Sequence, residues 1–93
     1  MLTITFPSAI TDLQHDIQTL WADLDWKYYD YLIELDEDEN EVFKPDVPAL
    51  LVATAADLTT THGVIDKDTY RLAMALAIEA EKNNARQAGL EVR

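Results

Sequence analysis

Cysteine is absent from the 93-residue chain, glycine occurs only twice and proline three times. Without cysteine the chain can form neither disulfide bonds nor thiolate metal sites, which favours a cytoplasmic protein. The scarcity of glycine and proline favours long helices over a sheet of many short strands. The longest apolar run, PALLVATAA, is far shorter than the ~20 residues of a membrane span, so we expect no contact with a membrane.

The first ten residues, MLTITFPSAI, also contain no lysine, arginine or long apolar run. We therefore do not expect a secretory signal here, although residues 2–6 alternate like a short strand. Chains usually divide into domains only beyond ~200 residues, so the length predicts one domain over residues 1–93. A hydrophobic content of 48% is too high for a disordered chain.

Acidic charge is abundant, and it is unevenly distributed. The net charge is −11, and residues 1–46 contain twelve acidic residues against two lysines, whereas residues 47–93 contain six against five basic residues. Such a field repels nucleic acid and anionic lipid and attracts basic partners. The alternative is that the acidic surface only keeps the protein dissolved.

Apolar residues at helical spacing predict a first helix over residues 9–37, beginning after Ser8 or at a Thr11–Gln14 capping box. They are Ile10, Leu13, Ile17, Leu20, Trp21, Leu24, Tyr28, Tyr31, Leu32 and Leu35. Residues 29–43 also alternate on both sides of the acidic segment DEDEN, which allows a β-hairpin instead. The turn lacks the glycine that tight hairpins favour, and this absence favours the helix.

Capping residues predict two further helices, over residues 48–61 and 67–88. Asp46 precedes a proline in the first turn of one helix, and Asp66 precedes the other. Gly63 and Gly89 follow the two helices, where glycine commonly ends a helix. Three helices predict an all-α fold, a compact antiparallel three-helix bundle, with the hairpin at about 29–43 giving an α+β alternative.

The acidic segment resembles the start of a calcium-binding loop, because Asp36, Asp38 and Asn40 stand at alternate positions. However, Glu41 stands where that loop needs a glycine, and Val47 where it needs a bidentate glutamate. We therefore expect no specific calcium site.

Other chemistry has equally little support. Asp12 and His15 have the spacing of a helical metal-binding pair, but His62 has no acidic residue three positions before it. The chain has no glycine-rich phosphate loop, no cysteine nucleophile and a single serine. We predict no catalytic residue, no metal, no cofactor and no enzymatic activity.

Six acidic residues share one stripe of the predicted first helix. They are Asp12, Asp16, Asp23, Asp30, Glu34 and Glu37. Neighbours in this stripe would lie roughly 5–10 Å apart along the helix axis, a spacing on the scale of nucleic-acid phosphates. The stripe could therefore occupy a groove built for phosphates. The alternative is a solvated helix face, although such faces usually interleave more basic residues.

A second apolar strip flanks the acidic one. It consists of His15, Ala22, Trp26, Tyr29 and Ile33. The strip either packs on another part of the chain or forms an exposed aromatic patch of the kind found at interface hot spots. In the second case Trp26, Tyr29 and Ile33 would bind a partner together with the six acidic residues.

In its size, its acidity and its lack of a catalytic motif, the chain resembles the small acidic inhibitors of bacteriophages, including DNA-mimic anti-restriction and anti-CRISPR proteins. The resemblance implies a binding protein in the host cytoplasm. It would occlude a basic, nucleic-acid-binding surface of a partner protein without contacting nucleic acid itself. The alternative is a structural or assembly module, such as a homodimer, that associates through the second and third helices at Val52, Ala53 and Ala56.

Overall fold

The structure, a computed structural model, describes residues 8–63 and 65–93. Within these residues the chain forms four helices and three short strands. In chain order they are α1 (Ser8–Asp23), α2 (Asp25–Leu32), β1 (Ile33–Leu35), β2 (Glu41–Phe43), α3 (Val47–His62), α4 (Lys67–Gln87) and β3 (Glu91–Val92). The predicted all-α three-helix bundle is therefore wrong, because a bent first helix and a small sheet replace the single long helix. The strand-like residues 2–6 lie outside the described residues.

The predicted helix over residues 9–37 bends at Leu24, whose backbone angles (φ −115°, ψ 39°) leave the helical region. The Leu24 N–H and carbonyl still make helical hydrogen bonds of 2.9 and 3.1 Å, so α2 continues α1 without a loop. Since α1 begins at Ser8, Thr11 lies inside the helix and is not the residue that begins it.

The helix then gives way to a hairpin at Ile33, where the alternative prediction placed strand structure. Strands β1 and β2 are antiparallel, with Ile33 opposite Phe43 and Leu35 opposite Glu41. Residues 29–32 remain helical, so the hairpin is shorter than the alternative predicted.

The loop of this hairpin forms its turn without a glycine, through hydrogen bonds to Asp36 and a left-handed residue at Glu39. The Asp36 carboxylate accepts the backbone N–H groups of Asp38 and Asn40, each at 2.9 Å. Glu39 has a φ of 63°, the left-handed conformation that a glycine would adopt at less cost. The acidic segment therefore forms a turn that its own carboxylate stabilises.

Strand β3 completes the sheet, lying parallel to β2 in the order β1-β2-β3. Val42 lies opposite Glu91, and the N–H of Arg93 donates to the carbonyl of Phe43 at 2.9 Å. Both Val42 and Phe43 are buried. The chain after α4 thus holds the hairpin against the helical part of the protein.

Helices α3 and α4 begin and end within one residue of the predicted bounds. The side chains of Asp46 and Asp66 each accept a backbone N–H of the first turn, at 3.2 and 3.0 Å. Gly63 and Gly89 have φ values of 71° and 85° at the two C-terminal ends. The capping residues predicted for these two helices are confirmed.

The core lies among the four helices. Helix α4 packs closely on α1, and the small residues Ala73 and Ala77 of α4 are fully buried. The indole N–H of Trp21 donates to the hydroxyl of Thr54 at 3.0 Å, which satisfies the polar groups of two buried residues. Among the helices of the described residues, none is long and apolar enough to cross a membrane.

Candidate protein-binding surface

Five of the predicted binding residues lie on the consecutive elements α2 and β1. Tyr29 and Asp30 lie about one helical turn after Trp26, and all three are exposed on α2. Ile33 and Glu34 follow at the start of β1. The opposite face of α2 carries Tyr28 and Tyr31, which pack into the core. We call Trp26, Tyr29, Asp30, Ile33 and Glu34 the acidic aromatic surface.

Trp26 is the most exposed large side chain of this surface. Its exposed fraction is 91%, against 3% for Trp21 in the core. A tryptophan can bury 150–250 Å², on the order of several kcal/mol of transfer free energy that Trp26 does not gain from the fold. Exposed tryptophans of this kind are typical anchors of protein interfaces.

Tyr29 is held beside Trp26 by a contact to the hairpin. Its hydroxyl donates to Oε1 of Glu41 at 3.2 Å. Partial desolvation and the negative charge of Glu41 raise the pKa of Tyr29, so the hydroxyl stays protonated at neutral pH. This hydrogen bond links α2 to β2, and the partly exposed ring remains accessible to a partner.

A cleft of about 490 Å³ adjoins the acidic aromatic surface. It is lined by Asp30, Ile33, Glu34, Lys44, Asp46, Val47 and Pro48. The Lys44 ammonium lies 3.2 Å from Oε2 of Glu34, with about half of each side chain exposed. Among the described residues Asp30 has no cationic group within 4.0 Å, so its carboxylate faces solvent without a partner of opposite charge.

Lys27, next to Trp26 in the sequence, is directed away from this surface. Its ammonium lies 2.7 Å from both carboxylate oxygens of Asp57 on α3. The Tyr28 hydroxyl donates to the same carboxylate at 2.5 Å. The hydrogen bonds from Lys27 and Tyr28 lower the pKa of Asp57, and burial raises the pKa of Tyr28. The surface therefore keeps its negative charge, because the basic residue nearest to Trp26 in the chain is bound elsewhere.

The other predicted acidic residues lie apart from this surface or flank it. Asp23 ends α1 three residues before Trp26, whereas Asp12 lies further back on α1 and Glu37 lies in the hairpin loop. Asp16 approaches α3, with its Oδ2 atom 3.2 Å from Nε2 of His62. The predicted row of six carboxylates along one helix is wrong, because the helix bends and ends before the row is complete.

Sequence reasoning missed the role of Lys44. The residue was not assigned to the site, although it follows Glu34 across a candidate hairpin. In an antiparallel pair, diagonal neighbours come within reach of long side chains. Glu34 pairs with Val42 in the register, and Lys44 lies two residues after Val42, just past the end of β2, where its ammonium reaches the glutamate. Choosing the hairpin over the helix would have revealed this ion pair.

Among the described residues, no group of three or more His, Asp or Glu side chains is placed to hold a metal ion. Comparison of the chain with protein-family models, with curated proteins and with solved structures found no match.

Proposed function

We propose that this chain is a non-enzymatic acidic binding protein that occludes a basic, nucleic-acid-binding surface of a partner protein, as phage DNA-mimic inhibitors do. The observation that supports the proposal is Trp26, which is 91% exposed beside the carboxylates of the acidic aromatic surface. Those carboxylates would take the lysine and arginine contacts that phosphates normally make. The tryptophan would be the apolar anchor that makes the contact specific.

The distribution of charge supports fast association with such a partner. The first 46 residues, which include the acidic aromatic surface, contain twelve of the eighteen acidic residues and two of the seven basic ones. A field of one sign accelerates encounter with an oppositely charged surface and makes the rate depend on salt. Truncation of the anchoring aromatic residue acts mainly on dissociation. The two kinds of residue thus contribute to different steps of binding.

Self-association through α3 is a second candidate function, and a different surface supports it. The outer face of α3 carries no charged side chain, and Val52 on this face is 73% exposed. In a chain of net charge −11, an uncharged face is where a second copy meets the least repulsion. The earlier assignment of Ala53 to this face needs correction, because Ala53 packs against the core. Val52 and Ala56 remain on it.

The test of the main proposal neutralises the two acidic residues of the acidic aromatic surface together with Asp23, which flanks it at the end of α1. The site variant carries Asp23→Asn, Asp30→Asn and Glu34→Gln. A matched control removes the same charge elsewhere, with Asp68→Asn, Glu79→Gln and Glu91→Gln. Each protein is titrated into complexes of fluorescent duplex DNA with purified restriction endonucleases and CRISPR effector complexes, and the displaced DNA is measured by anisotropy.

We expect the wild type and the control to displace DNA from at least one complex. The site variant should be roughly a hundredfold or more weaker, since each lost contact to a desolvated basic residue costs about 1–3 kcal/mol. Circular dichroism should show unchanged helix content in both variants. Equal potency of the two variants, or no displacement by the wild type at low salt, would contradict the proposal.

A further inference from the structure

The geometry of α2 places a carboxylate beside the exposed indole. Trp26 and Asp30 are four residues apart on this helix, so their Cβ atoms lie roughly 5–6 Å apart on one face. With 91% of its surface exposed, Trp26 offers its ring to solvent. A group that binds here can therefore contact the ring and the carboxylate at the same time.

The basic residues nearest to this pair are engaged elsewhere. Lys27 is bound to Asp57 and lies over the ring of Tyr28, with its ammonium 5.8 Å from the ring centre. Lys44 is paired with Glu34 in the adjoining cleft. Both Trp26 and Asp30 are thus available to a cationic group from another molecule.

Arginine fits this pair better than lysine does. A guanidinium group is planar, stacks on the face of an indole and donates two parallel hydrogen bonds to a carboxylate. A lysine ammonium is a compact, strongly hydrated charge that cannot stack and donate in this way. Methylated lysine is usually held in a cage of several aromatic rings. The only other aromatic residue of the acidic aromatic surface, Tyr29, is hydrogen-bonded to Glu41.

We infer that Trp26 and Asp30 form an arginine-binding site, at which an arginine side chain of the partner stacks on the indole and pairs with the carboxylate. The inference rests on the proposed function, and it adds the residue type that the surface selects. Glu34 is a weaker second position, because an incoming basic residue has to compete there with Lys44.

The experiment measures the affinity of the whole chain for three fluorescent peptides of equal length and charge. The charged positions are all arginine, all lysine or all trimethyllysine, and binding is followed by anisotropy at low and physiological salt. We expect the arginine peptide to bind about three- to tenfold more tightly than the lysine peptide. The trimethyllysine peptide should bind no more tightly than the lysine peptide.

Variants then locate the preference. Trp26→Ala should remove the arginine preference while leaving affinity for the lysine peptide within about twofold, and Trp26→Phe should retain part of it. Asp30→Asn should weaken the arginine peptide more than the lysine peptide. Leu72→Ala, a change at an exposed apolar residue of α4, is the control and should alter neither affinity. Circular dichroism checks that each variant keeps its helix content.

Equal affinity for arginine and lysine peptides would overturn the arginine site and leave the proposed function intact, provided that the three-acid site variant still loses binding. A preference that persists in Trp26→Ala would also overturn it. Tighter binding of the trimethyllysine peptide would assign the site to methylated lysine instead. If no peptide binds in a way that depends on the three acidic residues, both the arginine site and the proposed function fail.

Discussion

The outer faces of α2 and α3 are both exposed, yet they suit different partners. Helix α2 presents Trp26, Tyr29 and Asp30, an aromatic surface with unpaired negative charge. Helix α3 presents Val52 and Ala56 on a face that carries no charged residue of the helix itself. A second copy of this acidic chain would meet more repulsion at the first face than at the second. The charge around an exposed apolar residue, more than its exposure, therefore decides what can cover it.

The two faces are connected through Asp57. It is the only acidic residue of α3, and its carboxylate is directed toward α2, where it binds Lys27 and Tyr28. This contact removes a negative charge from the outer face of α3. It also removes a positive charge from the neighbourhood of Trp26. The Lys27–Asp57 ion pair thus increases the difference in charge between the faces of α2 and α3.

The largest effect is expected from charging the face of α3. If a second copy covers this face, Val52→Glu combined with Ala56→Glu should convert a dimer to a monomer in sedimentation equilibrium. Both side chains are exposed, so the free energy of unfolding of the monomer should change by no more than about 0.5 kcal/mol per site. Trp26→Ala is the matched change on the other face and should leave association unchanged. A wild-type protein that is monomeric at high concentration would exclude self-association through α3.

An intermediate effect is expected from removing the connection between the faces. Asp57→Ala should lower the free energy of unfolding by about 1–3 kcal/mol, because the buried Tyr28 hydroxyl loses its acceptor. Chemical denaturation measures the change. Asp30→Ala, which removes an exposed carboxylate from α2, should cost no more than about 0.5 kcal/mol. Adding Tyr28→Phe to Asp57→Ala should recover part of the loss, and no recovery would mean that the hydroxyl contact contributes little.

The same contact predicts a dependence on pH. Because Lys27 and Tyr28 lower the pKa of Asp57 in the folded state, the folded protein holds its proton less tightly than the unfolded chain, whose pKa is about 4. The contribution of Asp57 to stability is therefore complete above that value. It is lost as the pH falls through the folded pKa. The difference in unfolding free energy between wild type and Asp57→Ala should shrink below about pH 4, and a constant difference would contradict the assignment.

The smallest effect is expected from the cleft beside the acidic aromatic surface. Lys44→Ala frees Glu34 and removes one positive charge, so a basic peptide should bind about two- to fivefold more tightly. Lys67→Ala removes the same charge at the start of α4 and should have less effect. Peptide anisotropy measures both. Weaker binding after Lys44→Ala would show that the lysine supports the shape of the cleft and does not compete with the ligand.

Helices α3 and α4 were predictable because the signals that bound them are local. Asp46 and Asp66 cap the first turns, and Gly63 and Gly89 adopt left-handed angles at the ends. Each residue acts within a few positions of the helix that it limits. The sequence therefore contains the whole argument for where these two helices begin and end.

The first helix was mispredicted because its end depends on distant residues. The apolar spacing of a helix continues to Leu35. However, residues 33–35 pair with β2, and β2 in turn pairs with Glu91 and Val92, so the chain forms a strand instead of a helix after Leu32. The absence of glycine from the turn was misleading, since Asp36 supplies the hydrogen bonds of the loop. No short window of sequence shows a strand that pairs with the end of the chain.

The candidate site was predictable in part for the same reason. Trp26, Tyr29 and Asp30 share one face because α2 keeps helical spacing after the bend at Leu24. Whether this face is buried could not be decided from spacing, which is the same for a core face and an exposed one. The contact of Asp16 with His62 joins helices that are distant in the sequence, and helical periodicity contains no information about it.

The positions of the two tryptophans allow their intrinsic fluorescence to report separately on folding and on binding. Trp21 lies in the core with its indole N–H bonded to Thr54, whereas Trp26 lies almost entirely in water. The buried indole should emit at shorter wavelength and resist acrylamide, while the exposed one emits at longer wavelength and is quenched readily. Protection of the long-wavelength emission from acrylamide would report that a partner covers Trp26 on α2. A red shift of the short-wavelength emission would report unfolding around Trp21, and neither measurement needs an added dye.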